Sequence, residues 1–86
     1  MSYAVEFTPT SIDSLQNAPS TIQERVLRKI RWLSENFDDT KHQSLTANLS
    51  GLFKLRVGDY RVIYSFDVEI ELVTIHKIGH RRDVYD

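Results

Sequence analysis

The chain contains no cysteine, only three glycines and two prolines, and no long apolar run. Without cysteine there is no disulfide, no thiolate metal ligand and no thiol nucleophile. So little glycine and proline excludes collagen-like and linker-like chains. No segment approaches the roughly 18 consecutive apolar residues that would cross a bilayer. The opening Met1-Ser2-Tyr3-Ala4-Val5-Glu6-Phe7 has neither the basic region nor the apolar core of an export signal. The expectation is a cytoplasmic protein that makes no use of a membrane. A basic excess is lacking as well. Eleven Lys and Arg face twelve Asp and Glu, for a net charge of −1, and the pI is about 6.3. That balance disfavours nucleic-acid binding unless the cations are gathered locally.

What is there is one domain, residues 1–86, of ordinary globular composition: 41% hydrophobic and 27% charged. A chain this short buries only about 60–65% of its unfolded surface. Tyr3, Val5 and Phe7 alternate with Ala4 and Glu6, the period of a strand. Thr8-Pro9 reads as an N-cap followed by proline at the first helical position, opening a helix to about Asn17. After Pro19, Ser20 and Gln23 form a capping-box pattern. Ile22, Val26, Ile30, Leu33 and Phe37 then recur as one helical stripe. Arg25, Arg28, Lys29 and Arg31 lie opposite it, and Trp32 beside it reads as a packing or partner-contact residue. Asn36–Asp39 ends the helix in a polar turn.

From Leu45 the period changes to two. Gly58-Asp59 has the form of a two-residue hairpin turn between Phe53–Val57 and Tyr60–Phe66. A turn near Asp67–Glu69 leads to a third strand, Ile70–Lys77, closed by Ile78-Gly79. The tail from His80 to Asp86 reads as too polar for the core. The architecture expected is α+β: an N-terminal strand, a helical hairpin, then a three-stranded antiparallel meander, all in one sheet with the helices on one face.

The hairpin register carries the chemistry. With Gly58-Asp59 as the turn, Arg56 faces Arg61, Lys54 faces Ile63 and Val57 faces Tyr60. Phe53, Leu55, Val57, Tyr60, Val62 and Tyr64 then line the helix-covered face, while Lys54, Arg56 and Arg61 share the other. Like charges directly opposed across strands are destabilising, so the pair is either solvated or bridged by an anion. The third strand and the tail bring Lys77, His80, Arg81 and Arg82 to the same end of the sheet. From Lys54 onward six basic residues face six acidic ones, but the acids fall at turns and in the tail. A cationic concavity therefore fits inside a near-neutral chain. Such a surface suits phosphodiester cleavage by an adjacent 2′-hydroxyl. That reaction needs a proton acceptor, cations on the pentacoordinate phosphorane and a donor for the leaving oxygen, and no cofactor. His80 is the tail group whose ordinary pKa suits proton transfer, and Tyr85 could stack on a base or donate a proton. His42, His76 and His80 have no metal-ligand spacing.

The segments Leu52-Phe53-Lys54-Leu55-Arg56-Val57-Gly58-Asp59-Tyr60-Arg61-Val62-Ile63-Tyr64 and Ile78-Gly79-His80-Arg81-Arg82-Asp83-Val84-Tyr85 together resemble the RelE/ParE superfamily of toxins, and the resemblance extends over the whole chain. It implies a domain like the microbial ribonucleases and a partner antitoxin of RelB type. In the RelE branch it implies cleavage of messenger RNA on the ribosome. By the same resemblance, Lys54 matches a lysine acting as base or stabilising charge, and Arg61 the arginine holding the scissile phosphate. Arg81 matches the arginine at the leaving group, Tyr85 the aromatic orienting the nucleotide, and His80 the acid–base histidine of related branches. Arg56 matches a basic position on the same strand, and Lys77 and Arg82 are added as substrate-binding cations. Two departures are plain: Leu52 stands where some members carry a second lysine, and the chain lacks their basic balance.

Alternatives from the same resemblance are a ParE-like toxin that poisons DNA gyrase by binding, and a catalytically weak relative that only binds antitoxin. The partner is expected at the long helix and its flanks, because a small core gains stability when a partner segment covers an apolar groove.

Overall fold

The computed structural model describes residues 2–45 and 51–84. Strand β1 (Ala4–Phe7) leads to helices α1 (Pro9–Gln16) and α2 (Ser20–Glu35) and a 3₁₀ turn at Phe37–Asp39. Strands β2 (Gln43–Ser44), β3 (Phe53–Val57), β4 (Tyr60–Asp67) and β5 (Leu72–His80) follow. They form one sheet in the order β1-β5-β4-β3-β2. β1 runs parallel to β5 and the other pairs are antiparallel. This is the α+β architecture expected from the periodicities, with one strand more. No helix among the described residues is long and apolar enough to cross a membrane.

Local chemistry explains the ends of the helices. Thr8 Oγ1 accepts from the Ser11 N–H at 3.2 Å and donates to the His76 carbonyl at 3.1 Å, so one hydroxyl caps α1 and ties it to β5. The Ser20–Gln23 capping box does not form. Pro19 holds the extended cap position of α2, which leaves Ser20 as the first helical residue. Gln23 instead donates its side-chain amide to the Ala18 carbonyl at 2.8 Å, closing the α1–α2 corner.

Val26, Ile30 and Leu33 of α2 pack on Leu55, Val57, Val62, Tyr64, Val73, Ile75 and Ile78 of the sheet. The β3–β4 register is the one the Gly58-Asp59 turn requires, including Arg56 opposite Arg61. β5 contains an irregularity: Ile63 pairs with Lys77 but Tyr64 pairs with Ile75, leaving His76 as an extra residue. A bulge of this kind resets which face a strand presents. Val73, Ile75 and Ile78 can therefore all face the helices despite a spacing of two and then three. β5 starts at Leu72, two residues later than its sequence implied, because Val68–Glu71 form a turn in which Val68 and Ile70 are exposed. It also runs on to His80, past the expected stop at Ile78-Gly79.

At the far end of this core, Tyr3 stacks on Phe37 with ring centroids 3.9 Å apart. His42 lies 4.3 Å from Phe37. Its Nε2 is 3.1 Å from the Phe37 carbonyl and its Nδ1 is 2.7 Å from the Tyr64 hydroxyl. A carbonyl only accepts, so Nε2–H donates to Phe37 and Nδ1 accepts from Tyr64. Burial pushes the Tyr64 phenol up to about 12.

Two outcomes follow for stability. Gly58 has φ +59°, a region costing other residues about 1–2 kcal/mol. Gly58→Ala is expected to lower unfolding free energy by about that much in urea titrations. Tyr64→Phe leaves the His42 acceptor unsatisfied and should cost about 1–3 kcal/mol at neutral pH. Tyr64 also sets a pH dependence. Its phenol is protonated in both states below the ordinary value of 10.0, and the unfolded chain releases the proton first between there and about 12. Stability should therefore fall with rising pH across that window, and Tyr64→Phe should flatten the fall.

Candidate functional site

With the helices on one face of the sheet, the other face is left to polar side chains. Alternation puts Lys54, Ile63 and Lys77 in one row across β3, β4 and β5, and Arg56, Arg61 and Gly79 in the next. Gly79 brings no side chain to the position opposite Arg61. The room is used: the Arg61 side chain is only 8% exposed, and its Nη1 donates to the carbonyls of Gly58 and Tyr60, each at 2.9 Å. Those two bonds hold the guanidinium against the hairpin that carries it. Among the described residues no carboxylate pairs with Arg56, Arg61, Arg81 or Arg82. The ion pair found is Arg31–Glu35 on α2.

The tail, expected to be too polar for the core, does place one residue in the interior. Val84 is 5% exposed, and its Cβ stands 3.6 Å from where a side chain at Gly79 would begin. The backbone N–H groups of Asp83 and Val84 both donate to the His80 carbonyl, and that of Arg81 donates to Asp59 at 2.8 Å. A tight turn thus folds back on the open face, anchored by one apolar residue and by the hairpin turn. Its exposed residues are Arg81, Arg82 and Asp83, of which the two arginines line the open face. The only hint in the sequence was a single apolar residue within a polar run.

Together these elements surround a depression of about 420 Å³ lined by Gln43, Lys54, Arg56, Arg61, Arg81 and Arg82. Five of the expected site residues are therefore brought together. Lys77 lies on the same face in the Lys54 row but does not line the depression. His80 faces the other way. It pairs with Tyr60, their rings 5.7 Å apart, and its Nδ1 accepts from the Arg82 N–H at 3.2 Å. Its contacts support the arginine turn. Tyr85 lies outside the described residues. Gln43 was not foreseen, since β2 is two polar residues with no period to read. The other histidines are elsewhere, His42 in the aromatic core and His76 bonded to Ser65 at 2.7 Å.

Five cations, with no carboxylate among the described lining residues, make a place for a phosphate group. Inorganic phosphate is therefore expected to protect the protein against thermal unfolding. At tenfold excess over its Kd the gain is about 1.4 kcal/mol, or roughly 4–8 °C per kcal/mol in a domain of this size. Chloride at equal ionic strength should give much less, and Arg61→Ala combined with Arg81→Ala should abolish the difference in calorimetry.

Comparison with known proteins identifies the family. Residues 5–85 match the family described as the ParE toxin of type II toxin-antitoxin system, parDE. Toxin RelG of Mycobacterium tuberculosis is 32% identical, over 99% of this chain and 98% of its own. A chain of the toxin-antitoxin complex RelBE2 from the same organism superposes with a TM-score of 0.85 at 32% identity, covering 96% of this chain and 95% of that one. A chain of the archaeal RelE-RelB complex from Pyrococcus horikoshii gives 0.74 at 26% identity, covering 98% and 100%. By the family match, the identity over the whole chain and the shared fold, this chain belongs to the RelE/ParE superfamily of type II toxin–antitoxin toxins, on the RelE branch.

Proposed function

We propose that this toxin is an endoribonuclease that cuts messenger RNA on the ribosome, and that a RelB-like antitoxin silences it. The observation carrying this reading is the cationic depression, in which Lys54, Arg56, Arg61, Arg81 and Arg82 converge with no carboxylate among the lining residues. The reaction is attack of a 2′-hydroxyl on the adjacent phosphorus. The new O–P bond forms as the bond to the 5′-oxygen breaks, leaving a 2′,3′-cyclic phosphate and a 5′-hydroxyl. Charge on the phosphorane oxygens rises in the transition state, where fixed cationic donors in a partly dry site are most effective.

Arg61 is the best-held cation and is assigned to the scissile phosphate. Lys54, in the adjoining row, is assigned to the 2′-hydroxyl side, taking its proton or stabilising its developing charge. Arg81 is assigned to the leaving oxygen. Arg56 and Arg82 hold neighbouring phosphates, with Lys77 further along the strand. His80 acts on this reading through the turn that presents Arg81 and Arg82, and Tyr85 orients the nucleotide. The antitoxin half of the proposal is supported by the relatives, whose solved forms include complexes of RelE toxins with RelB.

Controlled expression followed by mapping of messenger RNA 5′ ends tests the reading. Cuts within translated codons are expected, and Arg61→Ala or Arg81→Ala should each lower the cleavage rate by about 10²–10³. Growth arrest without cuts would assign the toxin to gyrase poisoning instead. Folded protein giving neither would leave an antitoxin-binding module.

A further inference from the structure

The cationic surface does not stop at the depression. Of the eleven Lys and Arg in the chain, all but Arg31 and Lys77 line a set of four depressions that share Lys29, Lys54 and Arg56 at their borders. Among the described residues no Asp or Glu lines any of the four. A chain of net charge −1 has thus segregated nine of its cations onto one continuous belt, which runs from the C-terminal turn over β3 to α2.

On α2 the belt has its own construction. Arg25, Arg28, Lys29 and Trp32 recur at i, i+3, i+4 and i+7, which places them on one flank of the helix. Together with Arg56, Val57 and Gly58 they surround a depression of about 410 Å³. Arg25 reaches across to the hairpin, its Nη2 2.9 Å from where a Cβ on Gly58 would stand. Trp32 is 42% exposed, and Lys29 Nζ sits 4.1 Å from its ring centroid. An exposed indole among cations is a stacking platform beside a backbone track.

We infer that this flank of α2 is a second RNA-docking strip, continuous with the catalytic depression through Arg56 and holding RNA that extends beyond the cleaved nucleotides. The inference rests on the RNA-cleaving reading for the identity of the polyanion. An acidic protein segment would meet the same charges, but it carries no bases to stack on Trp32. An exposed apolar residue of α2 lies elsewhere. Leu27, 45% exposed, lies two residues past Arg25 and so about 200° around the helix, on the flank away from this strip.

Trp32 is the chain's one tryptophan, so its fluorescence reports on the strip alone. The protein carrying Arg61→Ala, which leaves RNA uncut, is titrated with a structured RNA hairpin. Quenching of Trp32 that weakens with salt is expected. Adding Arg25→Glu and Arg28→Glu should reduce the slope of log affinity against log salt by about 1.4–1.8. Trp32→Ala, followed by anisotropy of the labelled hairpin, should weaken binding about tenfold. Both sets of variants should keep their circular dichroism and, when made with Arg61 intact, their phosphate protection, which reports on the first depression. Absence of quenching, or quenching by polyglutamate equal to that by RNA, overturns the strip. The nuclease reading is judged separately by Arg61-dependent cuts: cuts without quenching sink the strip alone, and quenching without cuts sinks the nuclease alone.

Discussion

Two guanidinium groups held opposite one another across an antiparallel ladder repel, and the rest of this molecule is arranged around that pair. Arg56 and Arg61 cannot slip apart, because moving β3 by one residue against β4 would turn Leu55 and Val57 out of the core. Burial of those side chains under α2 therefore holds the two charges in register. Arg61 is further committed by its bonds to the Gly58 and Tyr60 carbonyls, which satisfy one end of the guanidinium and fix its direction. A fold that constrains like charges this way stores a repulsion that an anion relieves.

The two faces of the sheet divide the work. On one, helices and aromatic side chains supply the stabilising burial. On the other, apolar contact is limited to residues such as Ile63 and Val84, which are buried yet stand apart from the main cluster. Val84 does more than its size implies, because seating it over Gly79 directs the turn that carries Arg81 and Arg82 to the rim. The belt of cations continues to α2, whose inward stripe makes the core while its flank next to β3 stays charged. One helix thus takes part in both stability and recognition.

Much of this was legible in the residues. The helical stripe from Ile22 to Phe37, the Thr8-Pro9 start and the Gly58-Asp59 turn each leave a strong local signature, and the hairpin turn alone sets which residues face which. Strand β2 left none, because Gln43 and Ser44 join the sheet only by pairing with an edge that β3 offers. The missing capping box has a similar cause: Pro19 took the cap position that the pattern assigned to Ser20.

By itself the sequence determined the class of fold, the hairpin register and the gathering of Lys54, Arg56 and Arg61 on one face, since all three follow from local periodicity and turn geometry. The tertiary structure decided which tail residues join them. The bulge at His76 shifted the alternation of β5 by one residue, turning Gly79 to the open face and His80 toward Tyr60. A bulge depends on how a strand meets its neighbour, and Val84 can seat over Gly79 only after the bulge has turned Gly79 to the open face. Contacts of that kind have no period to read, so the placement of His80, Arg81 and Arg82 had to await the packed sheet.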